Sequence, residues 1–291
     1  MDSIKSTQNF LLKYLQIRIK VLTFAAQVTQ QPSGTTAMRI TLLQTDVAWA
    51  SPDVNARFAE QMIVSSPGSD LYVLPEMWST GFATHPEGIA ETEGKSLAWM
   101  IETARKVNAA ICGSLAIGEL DGQGVLHYRN RHYFVGRDGQ VTYYDKRHLF
   151  TYGGEDDGYA PGMQRTVVSH DGWRWLLLTC YDLRFPVWSR YHGDYDGIIL
   201  VANWPESRQK AWDILLRARA IENQCYVVGV NRVGEDQACK YMGGSMVIDA
   251  KGATVAACRP EEPSAVTAEI DINELRRFRS KFRVLDDRDQ P

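Results

Sequence analysis

From Arg39 onward, apolar runs of strand length alternate with segments of helical spacing, and no other feature limits the possible folds so sharply. Residues 39–44 (RITLLQ), 70–74 (DLYVL), 109–117, 173–179 (WRWLLLT), 197–202 (GIILVA), 225–231 (CYVVGVN) and 266–270 read as strands. Residues 54–65 carry Val54, Phe58, Met62 and Ile63 on one side, and 209–223 carry Trp212, Leu215, Leu216 and Ile221 near helical period. Residues 96–107 and 273–279 complete the helices. A helix between two strands is the usual crossover of a parallel pair. Two hairpins break the alternation: 128–136 pairs with 141–144 across Arg137-Asp138-Gly139-Gln140, and 245–249 with 254–257 across Ala250-Lys251-Gly252. Crossovers and hairpins together predict an α/β or α+β layered domain with mixed sheets.

The chain has 291 residues, enough for one large domain or two small ones. A chain of this size buries about three quarters of its unfolded surface and needs neither disulfide nor metal to hold a core. Its five cysteines, Cys112, Cys180, Cys225, Cys239 and Cys258, are odd in number and show no CxxC spacing, so no zinc site or disulfide framework is expected. Free thiols fit a reducing compartment, the cytoplasm. A net charge of −3 argues against a dedicated nucleic-acid binder. No GxGxxG or GxxxxGK[ST] stands in a strand–turn–helix context, and no closely spaced His/Asp/Glu set suggests a metal, so no cofactor is expected. Eight Trp and thirteen Tyr point to an aromatic-lined pocket or interface.

Residues 1–37 read as an extension. Lys5, Lys13, Arg18 and Lys20 stand against Asp2, a net +3, and they interrupt the apolar stretch well short of the ~18 residues of a membrane span. Residues 30–37 (QQPSGTTA) resemble a flexible link before Met38. A dispensable extension with Met38 as the working start, an ordered accessory helix and a targeting segment are the three readings.

Three strands end in a residue that an apolar core would not want: 71–75 runs into Glu76, 141–145 into Lys146, and 173–179 into Cys180. Ligands of layered α/β folds bind outside the carboxyl ends of strands. Each residue alone has an ordinary reading: a buried small hydrophobe for Cys180, a solvated loop acid for Glu76, a surface lysine for Lys146. Together they form a thiol, an acid and a cation suited to nucleophilic catalysis. A neighbouring ammonium favours a thiolate, and a carboxylate can take the thiol proton.

Longer words carry a resemblance. Leu74-Pro75-Glu76, Tyr144-Asp145-Lys146-Arg147-His148-Leu149-Phe150, Cys180-Tyr181-Asp182-Leu183-Arg184-Phe185-Pro186, Val201-Ala202-Asn203-Trp204-Pro205 and Arg217-Ala218-Arg219-Ala220-Ile221-Glu222-Asn223 occur in one order through residues 38–291. In this they resemble the nitrilase, or carbon–nitrogen hydrolase, superfamily. PEMWSTGF, YDKRHLF, CYDLRFPVWSR and ANWP are most similar to its bacterial omega-amidase branch, which hydrolyses the terminal amide of 2-oxo acids such as 2-oxoglutaramate and 2-oxosuccinamate.

The resemblance implies a four-layer αββα sandwich, a homodimer or higher homo-oligomer, no cofactor, and a thioester route. It implies Cys180 as nucleophile, Glu76 as general base and later acid, and Lys146 as oxyanion donor with the Tyr181 backbone N–H. A second carboxylate after the lysine is expected at Glu155, with Asp156 and Asp157 as the alternatives. Arg184 is the candidate for the substrate carboxylate, against a structural pairing with Asp182 or Glu222. Tyr181 and Trp204 are candidate pocket walls. His148 is discounted as a base because the family uses the carboxylate. The tail at residues 275–283 either crosses to a partner or is a solvated helix. The rival readings are another amide, carbamoyl amine or nitrile as substrate, and a non-catalytic scaffold that keeps the fold.

Overall fold

The computed structural model describes residues 36–289, Glu93 excepted. The expectations for residues 1–35 lie outside the described residues. The first strand, β1 (Ala37–Gln44), begins one residue before Met38, whose side chain is buried. Thr36 is also tied in, its carbonyl accepting from the Ile272 N–H.

Two six-stranded sheets stack face to face. The first runs β14 (Ser264–Asp271), β1, β2 (Leu71–Val73), β3 (Ala110–Leu120), β4 (Leu126–Val135), β5 (Val141–Asp145). The second runs β13 (Thr254–Ala257), β12 (Met246–Ile248), β9 (Tyr226–Asn231), β8 (Gly197–Ala202), β7 (Trp173–Thr179), β6 (Val167–His170). In each, three central strands are parallel and the flanking ones antiparallel: β1, β2 and β3 in one, β7, β8 and β9 in the other. Helices α1 (Pro52–Ser65) and α2 (Lys95–Val107) are the crossovers of the first parallel set. The short turns α3 (Glu155–Gly158) and α4 (Pro186–Ser189) follow, then α5 (Gln209–Glu222) as a crossover of the second set and α6 (Ile272–Lys281) near the C-terminus.

Both faces of the central strands are covered, which explains their unbroken apolar runs. In β7, Trp173, Trp175 and Leu177 meet β1, β2 and β8 side chains between the sheets, while Leu176 and Leu178 meet Trp212, Leu216 and Ala220 of α5. In β2, Leu71 and Val73 face the other sheet, and Tyr72 packs with Ala59 and Ile63 of α1 and Met100 and Ala104 of α2. The layers are therefore helix, sheet, sheet, helix: the four-layer sandwich.

The structure departs from the sequence reading where elements are short or polar. Strand β6 and the hairpin of β10 (Val233–Glu235) and β11 (Lys240–Met242) are too brief for an alternating pattern. The β3–β4 hairpin runs further than expected, to Leu120 and Leu126, because Asp121 Oδ1 accepts from the Gln123 and Val125 N–H groups and closes the turn. The tail helix is neither free nor solvated all round: Ile272 and Leu275 of α6 are buried in the intersheet core, and Phe278 packs against it.

Candidate active site

Strand ends from both sheets converge at one point. Chain leaving β2 carries Pro75 and Glu76, β5 hands on directly to Lys146, β7 to Cys180, and β8 to Asn203. The Asn203 N–H donates to Glu76 Oε2 at 2.8 Å, and its Nδ2 donates to the Glu76 carbonyl at 2.8 Å. These bonds fasten the second sheet to the first beside the cluster. Glu155 opens α3, and the Phe150 N–H donates to its Oε2 at 2.7 Å.

Lys146 Nζ lies 2.9 Å from Glu76 Oε1 and 2.7 Å from Glu155 Oε2, all three side chains having no solvent exposure. Burial alone would lower the Lys146 pKa, but Glu155 and Glu76 outweigh it, so the ammonium is held charged above its ordinary value. Glu155 is pushed up from the usual carboxylate range, first by burial and then by the like charge of Glu76, with Lys146 opposing. A buried ion triad of this kind costs desolvation energy and is weak as a stabilising device, which favours a chemical use for it.

Asn130, in β4, sets the spacing of the two acids. Its Nδ2 donates to Glu76 Oε1 at 2.8 Å and to Glu155 Oε1 at 2.9 Å. Ser114 Oγ donates to its Oδ1 at 2.9 Å and itself accepts from the Met77 N–H. With the Ser114 proton on Oδ1, both Nδ2 hydrogens remain for the carboxylates.

Cys180 begins a 3₁₀ turn (Cys180–Arg184) with φ +44°, a left-handed conformation that a residue with a Cβ rarely adopts. Asp182 holds the turn, its Oδ2 accepting from the Thr179 N–H and from Tyr144 Oη–H. The strained start turns the thiol out of the strand toward the cluster, the kind of backbone cost that collects at reactive centres. The Cys180 thiol is pushed well above its ordinary pKa, first by burial, then by the charge of Glu76, and Lys146 pulls the other way. A protonated resting thiol beside a carboxylate needs its proton taken at the moment of attack.

Cys180 opens onto a pocket lined by Phe82, Phe150, Tyr181, Arg184, Asn203, Trp204, Pro205, Arg208, Cys239 and Tyr241. Glu76, Lys146, Glu155 and Cys180 are thus brought together, and Tyr181, Arg184 and Trp204 line the approach. Asp156 and Asp157 are exposed. Arg184 pairs with neither Asp182 nor Glu222. Asp182 is taken by Thr179, Tyr144 and His148, Glu222 pairs with Arg219, and the Arg184 guanidinium lies 5.0 Å over the Trp204 ring. His148 donates from its backbone N–H to Asp182 and stacks on Phe185. Sequence reasoning missed Asn130, Ser114 and Arg208. For Asn130 a signal existed: it shares strand parity with Phe134, which faces the intersheet core, so a buried amide was due there. Among the described residues, no group of three or more His, Cys, Asp or Glu is arranged to hold a metal ion.

A four-layer sandwich with ionisable side chains buried where strands of both sheets end is the plan of a hydrolase, and comparison with known proteins gives the family. The carbon–nitrogen hydrolase model matches residues 39–280, and the chain belongs to that family. It is 41% identical over 254 residues to omega-amidase YafV of Escherichia coli K12, covering 87% of this chain and 97% of that protein. It is 34% identical over 266 residues to 2-oxoglutaramate amidase of Bacillus subtilis 168, covering 85% and 96%. Among solved structures it is similar to XC1258 of Xanthomonas campestris, a CN-hydrolase superfamily protein with an arsenic adduct in its active site. The TM-score is 0.82 with 38% identity over 88% of this chain and 98% of that one. The chain is a hydrolase acting on carbon–nitrogen bonds. None of its described helices is long and apolar enough to cross a membrane.

Proposed function

We propose that this chain is an omega-amidase, hydrolysing the terminal amide of a 2-oxo acid such as 2-oxoglutaramate or 2-oxosuccinamate to the dicarboxylate and ammonia. The observation that carries the reading is the buried Glu76–Lys146–Glu155 cluster behind a cysteine that opens onto an arginine-bearing pocket. The names of two relatives, an omega-amidase and a 2-oxoglutaramate amidase, support the substrate class.

Glu76 takes the Cys180 proton as Sγ attacks the amide carbon. The oxyanion that forms is met by Lys146 Nζ and by the Tyr181 N–H at the start of the 3₁₀ turn, where backbone donors lack helical partners. Glu76 passes its proton to the amide nitrogen, the C–N bond breaks, and ammonia leaves a thioester on Cys180. Water, deprotonated by Glu76, adds to the thioester, and the thiol departs with a proton. Glu155 and Asn130 anchor Lys146 and align the substrate amide. Arg184 takes the carboxylate, with Tyr181 and Trp204 as walls. Residues 38–291 are the catalytic unit in this reading, which works as a homodimer in the cytoplasm.

Ammonia release from 2-oxoglutaramate tests it. The purified protein should turn over, and Cys180→Ala should lose at least about 10⁴-fold in kcat. No release by a folded protein whose Cys180 still reacts with iodoacetamide would overturn the omega-amidase reading, and other amides and nitriles would be tried next.

A further inference from the structure

Many half-buried and buried arginines of this protein sit on carboxylates. Arg131 pairs with Asp145, Arg165 with Asp194, Arg174 and Arg279 with Asp196, Arg219 with Glu222, and Arg232 with Asp46. Others do not: Arg39, Arg147 and Arg217 donate to the carbonyls of Gly68, Gly162 and Gly252 instead, and what sets Arg184 and Arg208 apart is their place at the pocket of Cys180. Among the described residues neither has a carboxylate partner, and both line the pocket of Cys180, whose lining contains no acid. Asp236, in the turn that also carries Cys239, is spoken for by Tyr241 Oη–H and Arg232.

Aromatic rings hold both guanidinium groups. Arg184 lies over Trp204 at 5.0 Å; Arg208 lies over Phe150 at 5.2 Å and Tyr152 at 5.9 Å. Trp204 Nε1 donates to the Arg208 carbonyl at 2.8 Å, so the ring that carries one arginine is fastened to the backbone of the other. Stacking occupies the face of a guanidinium and leaves its in-plane N–H donors free, and those donors match a carboxylate. Two unneutralised cations in one pocket repel each other, and a bound anion relieves that cost.

We propose that Arg208, unassigned in the sequence reading, is the second half of a carboxylate clamp with Arg184, and that it makes the site selective for linear amides bearing a carboxylate at the far end. The proposal deepens the amidase reading of this pocket and rests on it for turnover. It does not depend on the 2-oxo group.

The test uses two substrates that differ at one end only: glutaramate, and pentanamide, in which a methyl group replaces the carboxylate. The wild type should prefer glutaramate. Arg208→Gln should cut that preference, the ratio of the two kcat/KM values, at least tenfold, mostly through KM, and Arg208→Lys should restore part of it. Equal losses on both substrates would make Arg208 a prop for Phe150 and Tyr152 and overturn the clamp. A second readout is independent of amide turnover: protection of Cys180 from iodoacetamide by glutarate. Protection in the wild type that Arg208→Gln abolishes supports the clamp even if no amide is hydrolysed, in which case only the amidase reading fails. No protection in the wild type overturns the clamp.

Discussion

Glu76 and Lys146 pull in opposite directions on the same thiol. Burial and the Glu76 charge raise the Cys180 pKa, while Lys146 lowers it. Removing the Glu76 charge therefore does two separable things: it deletes the proposed base and it makes the thiolate easier to form. Glu76→Gln should reduce amide turnover by about 10²–10⁴-fold, the usual worth of a positioned general base. The same variant should move the pH profile of Cys180 alkylation by iodoacetamide to lower pH, and Lys146→Met should move it higher. Opposite shifts in those two variants mark charges that both act on Sγ. A Glu76→Gln profile that stays in place or moves up would mean that Glu76 does not act on the thiol. Asn130 belongs to this scale as well, because one amide group holds both carboxylates against the lysine. Strand parity announces its burial but not its use, since its value lies in two acids 54 and 25 positions away in the chain.

At the scale of elements, the cluster depends on where strands stop, and the end of β5 has a mechanical check in Gly162. A Cβ built on Gly162 would meet the Asp145 carbonyl oxygen at 2.0 Å, and the Gly162 N–H donates to the Lys146 carbonyl at 2.9 Å. Asp145 is the last residue of β5, so the clash falls on the backbone that carries Lys146. Gly162→Ala should cost about 1–3 kcal/mol by overpacking, read as a lower urea midpoint. It should also lower kcat beyond what the unfolded fraction explains, because Lys146 Nζ must shift from its two carboxylates. Full activity with full stability would mean that this loop yields freely. The strand ends were legible for a physical reason: β7 and β8 are covered on both faces, so they read as unbroken apolar runs, and the polar residue after each run stands out. β10 and β11 were not legible, because three residues hold too few alternations to separate strand from loop. Arg208 was hidden too. Nothing in residues 204–208 says that this arginine lacks an acid, which emerges only when it is seen beside Arg184 in a pocket lining that contains none. That three strand ends from two sheets meet was implied by resemblance to a family, since the stacking of two sheets leaves no local mark.

The molecule as a whole is two similarly built sheets whose facing surfaces exclude water, and one titratable ring is caught between them. His132 of β4 is fully buried, and among the described residues only the carbonyl of Leu178, in β7 of the other sheet, and the Cys112 thiol meet its nitrogens. The Leu178 carbonyl can only accept, so Nδ1 carries the hydrogen, and Nε2 accepts from the Cys112 thiol at 2.8 Å. Burial pushes the His132 pKa down to about 3, with the Leu178 bond opposing. The unfolded chain takes up this proton below about pH 6.5, whereas the fold refuses it until about pH 3. Stability therefore falls as pH drops through that window, by about 1.4 kcal/mol per pH unit for this one group. Against a typical total of about 5–15 kcal/mol, two pH units are a serious loss. Urea unfolding at pH 6.5 and pH 4.5 should show the wild type losing about 2 kcal/mol more than His132→Gln over that interval, whatever the absolute stability of the variant. His170, also lowered chiefly by burial, is present in both proteins, so the difference isolates the intersheet ring. Equal acid losses in the two proteins would move the sensitivity to the carboxylates and leave His132 a passive spacer between the sheets.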